Sequence, residues 1–264
     1  MQKNFSMTLP DIALGIKSWR IWLLLGWQDI SLRYRRSVLG PWWISLSMLI
    51  TVCCLGVLYG RLFKLPVTEY LPYLATGMVT WTLILTLITE GTSNFIESAS
   101  YLKQIDLPYS VFVLRSVTRN TLVFFHNIIP ILLVLWFCDI QFGWEILMVF
   151  VGLAVILFNG FCYGWILAII GARFRDIQPI IASIMQIAFF LTPIIWEPKV
   201  LETRYGFFIN YNPFAQFIEL IRQPLLGNFP SYNAWMVTLI MSLIGILIML
   251  WLINKTRIRI IYWL

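Results

Sequence analysis

Residue order alone points to an all-α membrane protein with six transmembrane helices, and three observations lead there. Six long apolar runs fall at 38–59, 70–89, 111–137, 144–171, 177–196 and 235–253. About 20 apolar residues in a helix cross a hydrocarbon core of about 30 Å. The chain of 264 residues is 60% hydrophobic and 12% charged, whereas a soluble domain carries about 25% charged residues. Finally, Lys and Arg alternate in abundance between successive loops. Fourteen lie in the N-terminal segment, the 90–110 loop with Arg115 and Arg119, the 172–176 loop and the C-terminal tail, against five in the 60–69, 138–145 and 197–234 loops. The basic side is expected to be cytoplasmic, and an even span number puts both termini there. The net charge of +7 is therefore read as topological, with part of it drawn to membrane lipids, and no nucleic-acid partner is expected. Residues 1–264 read as one transmembrane domain with little chain left for a soluble catalytic unit. Near Met1 no short apolar core precedes a small-residue cleavage site, so the first span is expected to stay in place as the insertion signal.

Residues 1–10 read as a short flexible tail. Over 11–36, Ile12, Ile16, Trp19, Leu23, Trp27, Ile30 and Tyr34 recur at spacings of three and four, one helical stripe. Lys17, Arg20, Arg33 and Arg36 lie off it. The segment is expected as an amphipathic helix in the membrane interface. A further span through 19–27 is too short and too closely flanked by charge. Gly40-Pro41 breaks this helix and starts the first span, since Pro at a first turn loses no hydrogen bond. The second span is threonine-rich and begins near Pro72. The polar stretch 90–106 reads as a short cytoplasmic helix stopped at Leu107-Pro108. A tight outer loop around Asp139 and Gly143 joins spans three and four, and the turn 172–176 joins four and five.

The 197–234 segment is long, outside and half apolar, with runs too short to span. Asn212-Pro213 matches an N-cap and first turn, and Phe214, Phe217, Ile218 and Ile221 follow at helical spacing. A re-entrant outer hairpin over 197–226 fits this pattern, as does an ordinary loop. Irregular backbone at membrane depth is tolerated only beside protein or a water-filled cavity, so such a hairpin lines or closes an opening.

The chemistry-bearing residues are few. No GxxxxGK[ST] motif occurs, so nothing cradles nucleotide phosphates, and energy from ATP has to come from another chain. Glu90 and Glu97, seven residues apart, are expected to pair with Lys103 or Arg119 before they do acid–base chemistry. His126, with Asn120 and Asn127 in the same run, suits an interhelical hydrogen bond or a proton relay. Arg115 and Arg119, one turn apart, either snorkel or hold a lipid phosphate. Cys53, Cys54, Cys138 and Cys162 form no CxxC pair, so no metal site is expected and each reads as a small hydrophobe. Among 13 Trp, 11 Tyr and 19 Phe, Trp42, Trp43, Trp144, Trp196, Trp235 and Trp263 fall near span ends, the usual aromatic belt. Trp81, Trp165, Phe189 and Phe190 lie deeper and are candidates for lining a path, since flat rings suit the C–H faces of sugars.

Several short motifs, in order, carry a resemblance. Arg33-Tyr34-Arg35-Arg36-Ser37-Val38-Leu39-Gly40-Pro41-Trp42-Trp43 precedes the first span. Leu102-Lys103 and Leu107-Pro108 follow the second. Phe174-Arg175-Asp176-Ile177 precedes the fifth, and Leu191-Thr192-Pro193-Ile194-Ile195-Trp196 ends it. Asn212-Pro213-Phe214, with Glu219 and Arg222, completes the series. Together they resemble the ABC-2 type polysaccharide exporter permeases, the Wzm/KpsM-like membrane subunits. The resemblance implies a homodimeric channel in a bacterial inner membrane, paired with two cytoplasmic ATP-binding subunits that carry the ATP and Mg, and no cofactor on this chain. It implies export of undecaprenyl-pyrophosphate-linked glycan, with the O-antigen branch closer than capsule or teichoic acid. Arg33, Arg35 and Arg36 are then expected near the lipid pyrophosphate or the ATPase. Glu97, Lys103, Asp106, Arg173, Arg175 and Asp176 are expected in ATPase coupling, and Trp196, Asn212, Pro213, Phe214, Phe217, Glu219 and Arg222 at an outer gate. Two other classes remain open: the same scaffold carrying a drug or small lipid, and an integral membrane acyl- or glycosyltransferase. A bulky polar glycan needs a continuous path that six spans hardly enclose, so a symmetric pair with the path on its axis is expected.

Overall fold

In the computed structural model, which describes residues 2–198 and 210–264, every regular element among those residues is helical. Five helices are long and apolar enough to cross a membrane. These are α3 (Trp42–Leu62), α4 (Val67–Gly91), α7 (Tyr109–Phe137), α8 (Met148–Arg173) and α11 (Tyr232–Thr256). A 3-10 turn, Trp144–Leu147, leads into α8. Shorter helices connect them: α1 (Gln2–Lys17), α2 (Trp19–Arg33), α5 (Asn94–Glu97), α6 (Ala99–Gln104), α9 (Ile177–Leu191), α10 (Pro213–Leu225) and α12 (Ile260–Trp263).

The run at 177–196 departs from the expectation of one long span. Its helix, α9, has 15 residues, about 22 Å at the helical rise. Thr192 is extended at φ −96 and ψ 137. It precedes Pro193, whose ring disfavours helix at the residue before it and which has no N–H to continue the ladder. The amino-terminal expectation is corrected too. Residues 2–10 are helical, not a tail, and 11–36 is two helices broken at Ser18. The Ser18 hydroxyl donates to Leu14 O at 2.8 Å, the local competition that makes serine a poor helix interior. The 90–106 stretch likewise splits, at Ser98, into α5 and α6. The first limb expected for the outer hairpin falls on 199–209, outside the described residues.

Helix α4 is the hub. It packs on α3, α7, α8, α9 and α10. Lipid tails are as apolar as side chains, so helices associate in a membrane by close packing and satisfied polar groups. Both devices are present. A Cβ at Gly91 would stand 3.0 Å from Gly164 Cα on α8, tighter than an ordinary contact, so glycine at this crossing lets the two helices approach closely. Thr76, Thr80, Thr82, Thr86 and Thr89 each return their hydroxyl to the carbonyl four residues back. Such bonding hides a polar group where no water is available. Two apolar clusters result. One gathers Trp81, Phe124, Leu135, Ile156, Ile218 and Ile221. The other gathers Phe95, Leu102, Phe112, Trp165, Ile253 and Ile260 around the basic end. Helices α3 and α11 are the least enclosed of the five. On α11, Leu239, Ile240, Leu243, Ile244, Leu247 and Ile248 face outward, a surface that suits hydrocarbon.

Candidate functional site

At the basic end, carboxylates on α1 and α2 bind the start of α7. Asp11 is 2% exposed. It accepts from the backbone amides of Tyr109 at 3.3 Å and Ser110 at 3.2 Å, and from the Ser110 hydroxyl at 3.0 Å. Helix α7 opens after Pro108, which supplies no capping side chain, so its first orphan amides are satisfied from a distant helix. Arg257, beyond α11, adds an ion pair to Asp11 at 3.1 Å. One turn further along α7, Asp29 receives Arg115 Nε at 2.8 Å and Arg119 Nη1 at 3.2 Å. Glu90, at the end of α4, receives Arg119 Nη2 and Asn120 Nδ2, each at 2.7 Å. Arg115 and Arg119 thus sit inside a network that ties α2, α4 and α7 together. Arg33, Arg35 and Arg36 are exposed at the end of α2 and in the turn after it.

The coupling candidates gather at this same end. Phe95, Leu102, Ala172 and Ile260 share one cluster, which brings α5, α6, the last turn of α8 and α12 together. Glu97, Lys103, Asp106, Arg173, Arg175 and Asp176 are exposed around it. Glu97 accepts from the Ser93 hydroxyl. The Arg173 guanidinium stands 5.4 Å from the Trp263 ring centre.

At the opposite end, Thr192–Trp196 is irregular backbone, and side chains serve the carbonyls of Pro193, Ile195 and Trp196. Pro193 O accepts from Tyr73 Oη at 2.9 Å and Arg222 Nη1 at 2.8 Å. Trp196 O accepts from Tyr73 Oη at 3.1 Å, and Ile195 O accepts from Tyr70 Oη. The Arg222 guanidinium lies 3.8 Å from the Tyr73 ring centre. It is buried, and its Nε and Nη2 have no hydrogen-bond partner among the described residues. Gly77 makes room for it, because a Cβ there would overlap Arg222 Nη2.

Asn212 caps α10 as its sequence implies, accepting from Phe214 N at 3.0 Å and Ala215 N at 3.4 Å, while its Nδ2 donates to the Thr192 hydroxyl at 3.1 Å. Pro213 takes the first helical position. Phe214 meets Trp81 edge-on at 5.6 Å between ring centres, and Trp81 meets Phe189 at 5.7 Å. Phe217 is in the core, and Glu219 accepts from Ser231 N at 2.9 Å, joining α10 to the start of α11. Of the four deep aromatic candidates, Trp81 and Trp165 are sealed inside the bundle, Phe189 is half-buried and Phe190 is 66% exposed.

Among the described residues the His126 ring bonds within its own helix, Nδ1 meeting Leu122 O at 2.8 Å, while its carbonyl accepts from Ser45 of α3. Among the described residues no group of three His, Cys, Asp or Glu lies close enough to hold a metal ion. The residues that the motifs missed are Asp11, Asp29, Tyr70, Tyr73 and Gly77. One signal existed for two of them. Asp11 and Asp29 are the two acids in the first 60 residues, and their separation of about five helical turns marks a common face.

A family model described as "ABC-2 type transporter" matches residues 20–226. Two "O-antigen export system permease protein RfbA" sequences from Klebsiella pneumoniae are each 23% identical over 237 residues, covering 88% of this chain and 90% of the relative. A protein of that name from Myxococcus xanthus is 23% identical over 208 residues, 78% of this chain and 76% of its own. The matched family region runs from α2 through α10, and so contains the Asp29–Glu90–Arg119 network and the Thr192–Trp196 segment, while Asp11, Arg257 and α12 lie outside it.

Proposed function

Because this chain belongs to the ABC-2 type transporter family, a multi-pass membrane family whose members work with ATP-binding subunits, we propose that it is the channel-forming subunit of an exporter for lipid-linked polysaccharide. O-antigen is the favoured cargo, by similarity to the permeases of that name. In this reading the chain is a transport permease of a bacterial inner membrane, with both termini cytoplasmic. ATP is hydrolysed by two partner subunits docked on α5, α6 and the α8–α9 turn. Helix α9 with Thr192–Trp196 makes the sixth passage, three of its irregular carbonyls served by Tyr70, Tyr73 and Arg222. Helix α10 is the rising limb of an outer hairpin that gates the exit.

The observation that carries the reading is α9. Of its residues only Met185 is buried, while Ile180, Ile184, Ile187 and Phe190 are exposed together with Ser183 and Gln186. An amide facing lipid is expensive, and polar groups inside spans ordinarily face protein or water. A second copy related by a two-fold axis along the membrane normal gives that face a neighbour, and it puts Ser183 and Gln186 beside a shared path. ATP-driven closure of the partners then rocks the halves through the grip on α7. Deleting the gene tests this: surface glycan is expected to vanish while its lipid-linked precursor accumulates inside. Normal surface glycan alongside lost drug resistance would instead favour a small-molecule cargo.

A further inference from the structure

Beyond α11 the chain turns through a 3-10 segment, Arg257–Arg259, into α12. This turn and the start of α7 enclose a pocket of about 560 Å³, lined among others by Tyr109, Lys255, Arg257, Arg259, Ile261 and Tyr262. The matched family region ends at residue 226, so most of this lining lies outside it. Three cations meet here, and they are not equivalent. Arg257 has its charge met by Asp11 at 3.1 Å. Lys255 and Arg259 are exposed and have no carboxylate within ion-pair distance among the described residues. Lys255 stands 4.9 Å from the Trp251 ring centre.

The rim is apolar. Ile258, Ile261 and Tyr262 are 68%, 46% and 83% exposed, and Trp251, one turn before Lys255, is 60% exposed. The pocket therefore offers two unmatched positive charges at the end of a hydrocarbon-facing helix, flanked by side chains that suit lipid chains. Soluble anions need the charges alone and gain nothing from this rim.

We infer that this pocket is a headgroup site for an anionic phospholipid. Lys255 and Arg259 hold its phosphate diester, and Ile258, Ile261 and Trp251 lie along its glycerol and upper acyl segments. Arginine supplies paired donors that match two phosphate oxygens, and lysine adds a mobile point charge. Arg257 stays with Asp11, so a lipid seated here lies against the contact that joins α1, α7 and the tail. The inference needs only that α11 spans a membrane and does not depend on the cargo.

The test uses the full chain purified in mild detergent, with native mass spectrometry as the readout and phosphatidylglycerol, phosphatidylcholine and inorganic phosphate as probes. Wild type is expected to retain phosphatidylglycerol in preference to phosphatidylcholine. Lys255→Gln with Arg259→Gln is expected to weaken phosphatidylglycerol retention about 30-fold, about fivefold per cation removed near an anionic headgroup, leaving phosphatidylcholine unchanged. Lys255→Gln alone gives the fivefold step if the double variant elutes as aggregate. Arg61→Gln with Lys64→Gln, at the opposite end, is expected to change nothing. Equal retention of the two lipids, an unchanged double variant, an equal loss in the control pair, or displacement of the lipid by inorganic phosphate would each overturn the assignment.

Discussion

Replacing Asp11 with Ala should loosen the whole amino-terminal grip, and the size of the effect can be worked from its partners. The carboxylate caps two α7 amides and receives the Ser110 hydroxyl and Arg257. Losing a helix cap costs about 1 kcal/mol. Losing a charge-assisted partner costs about 2 kcal/mol more. The sum of about 3 kcal/mol corresponds to a midpoint lowered by about 6–12 °C in a chain of this size. Asp11→Asn keeps one oxygen acceptor for an α7 amide and loses the charge, so its midpoint should fall about two-thirds as far. Thermal melts followed by fluorescence-detected size exclusion, in one detergent, read both. An Ala variant that melts with wild type, or Ala and Asn variants that fall equally, would refute the capping argument. A cycle with Arg257→Gln separates the ion pair from the cap: the two single losses should sum to more than the double loss.

Gly77→Ala puts a methyl group into the space of Arg222 Nη2, and should cost about 1–3 kcal/mol of overpacking; adding Arg222→Met should recover most of it, read by the same melts. Arg119→Met strands Glu90, which Arg119 and Asn120 now serve, and should cost about 3 kcal/mol, whereas Arg119→Met with Glu90→Gln should cost clearly less. Arg35→Ala or Arg36→Ala, in the exposed turn after α2, should lower surface glycan while the protein stays in the membrane at wild-type level. Unchanged glycan in both would remove the role proposed for this basic cluster.

What the sequence revealed depended on how far each signal reached along the chain. The long helices were readable because apolar runs of spanning length leave few alternatives, and the start of α10 was readable because Asn212-Pro213 acts within three residues of itself. The break at Ser18 was missed because the stripe from Ile12 to Tyr34 keeps its period across it, so periodicity cannot register one serine hydroxyl taking a carbonyl. Helix α9 ended early for a local reason, Pro193, hidden by the apolar residues that continue to Trp196. The grip on α7 was out of reach, because Asp11 finds Tyr109 and Ser110 almost a hundred residues away. Tyr70, Tyr73 and Arg222 likewise serve carbonyls of a segment remote in sequence, and no motif marks a tyrosine that satisfies unwound backbone. Arg115 and Arg119 illustrate the opposite case: the residues stood out, but their partner Asp29 did not, so a phosphate looked as good a ligand as a carboxylate.

The central claim is that two copies of this chain form a conduit that hydrolyses no nucleotide and moves glycan only when partner ATPases drive it. The direct measurement co-expresses the chain with its ATP-binding partner, reconstitutes the complex in vesicles, and follows lipid-linked glycan across the bilayer while the assembly's stoichiometry is read by mass. The account predicts two copies of each chain, transport that requires ATP and the partner, and no ATP turnover by this chain alone. Transport by a single copy, transport without the partner, or nucleotide hydrolysis by the isolated chain would contradict it.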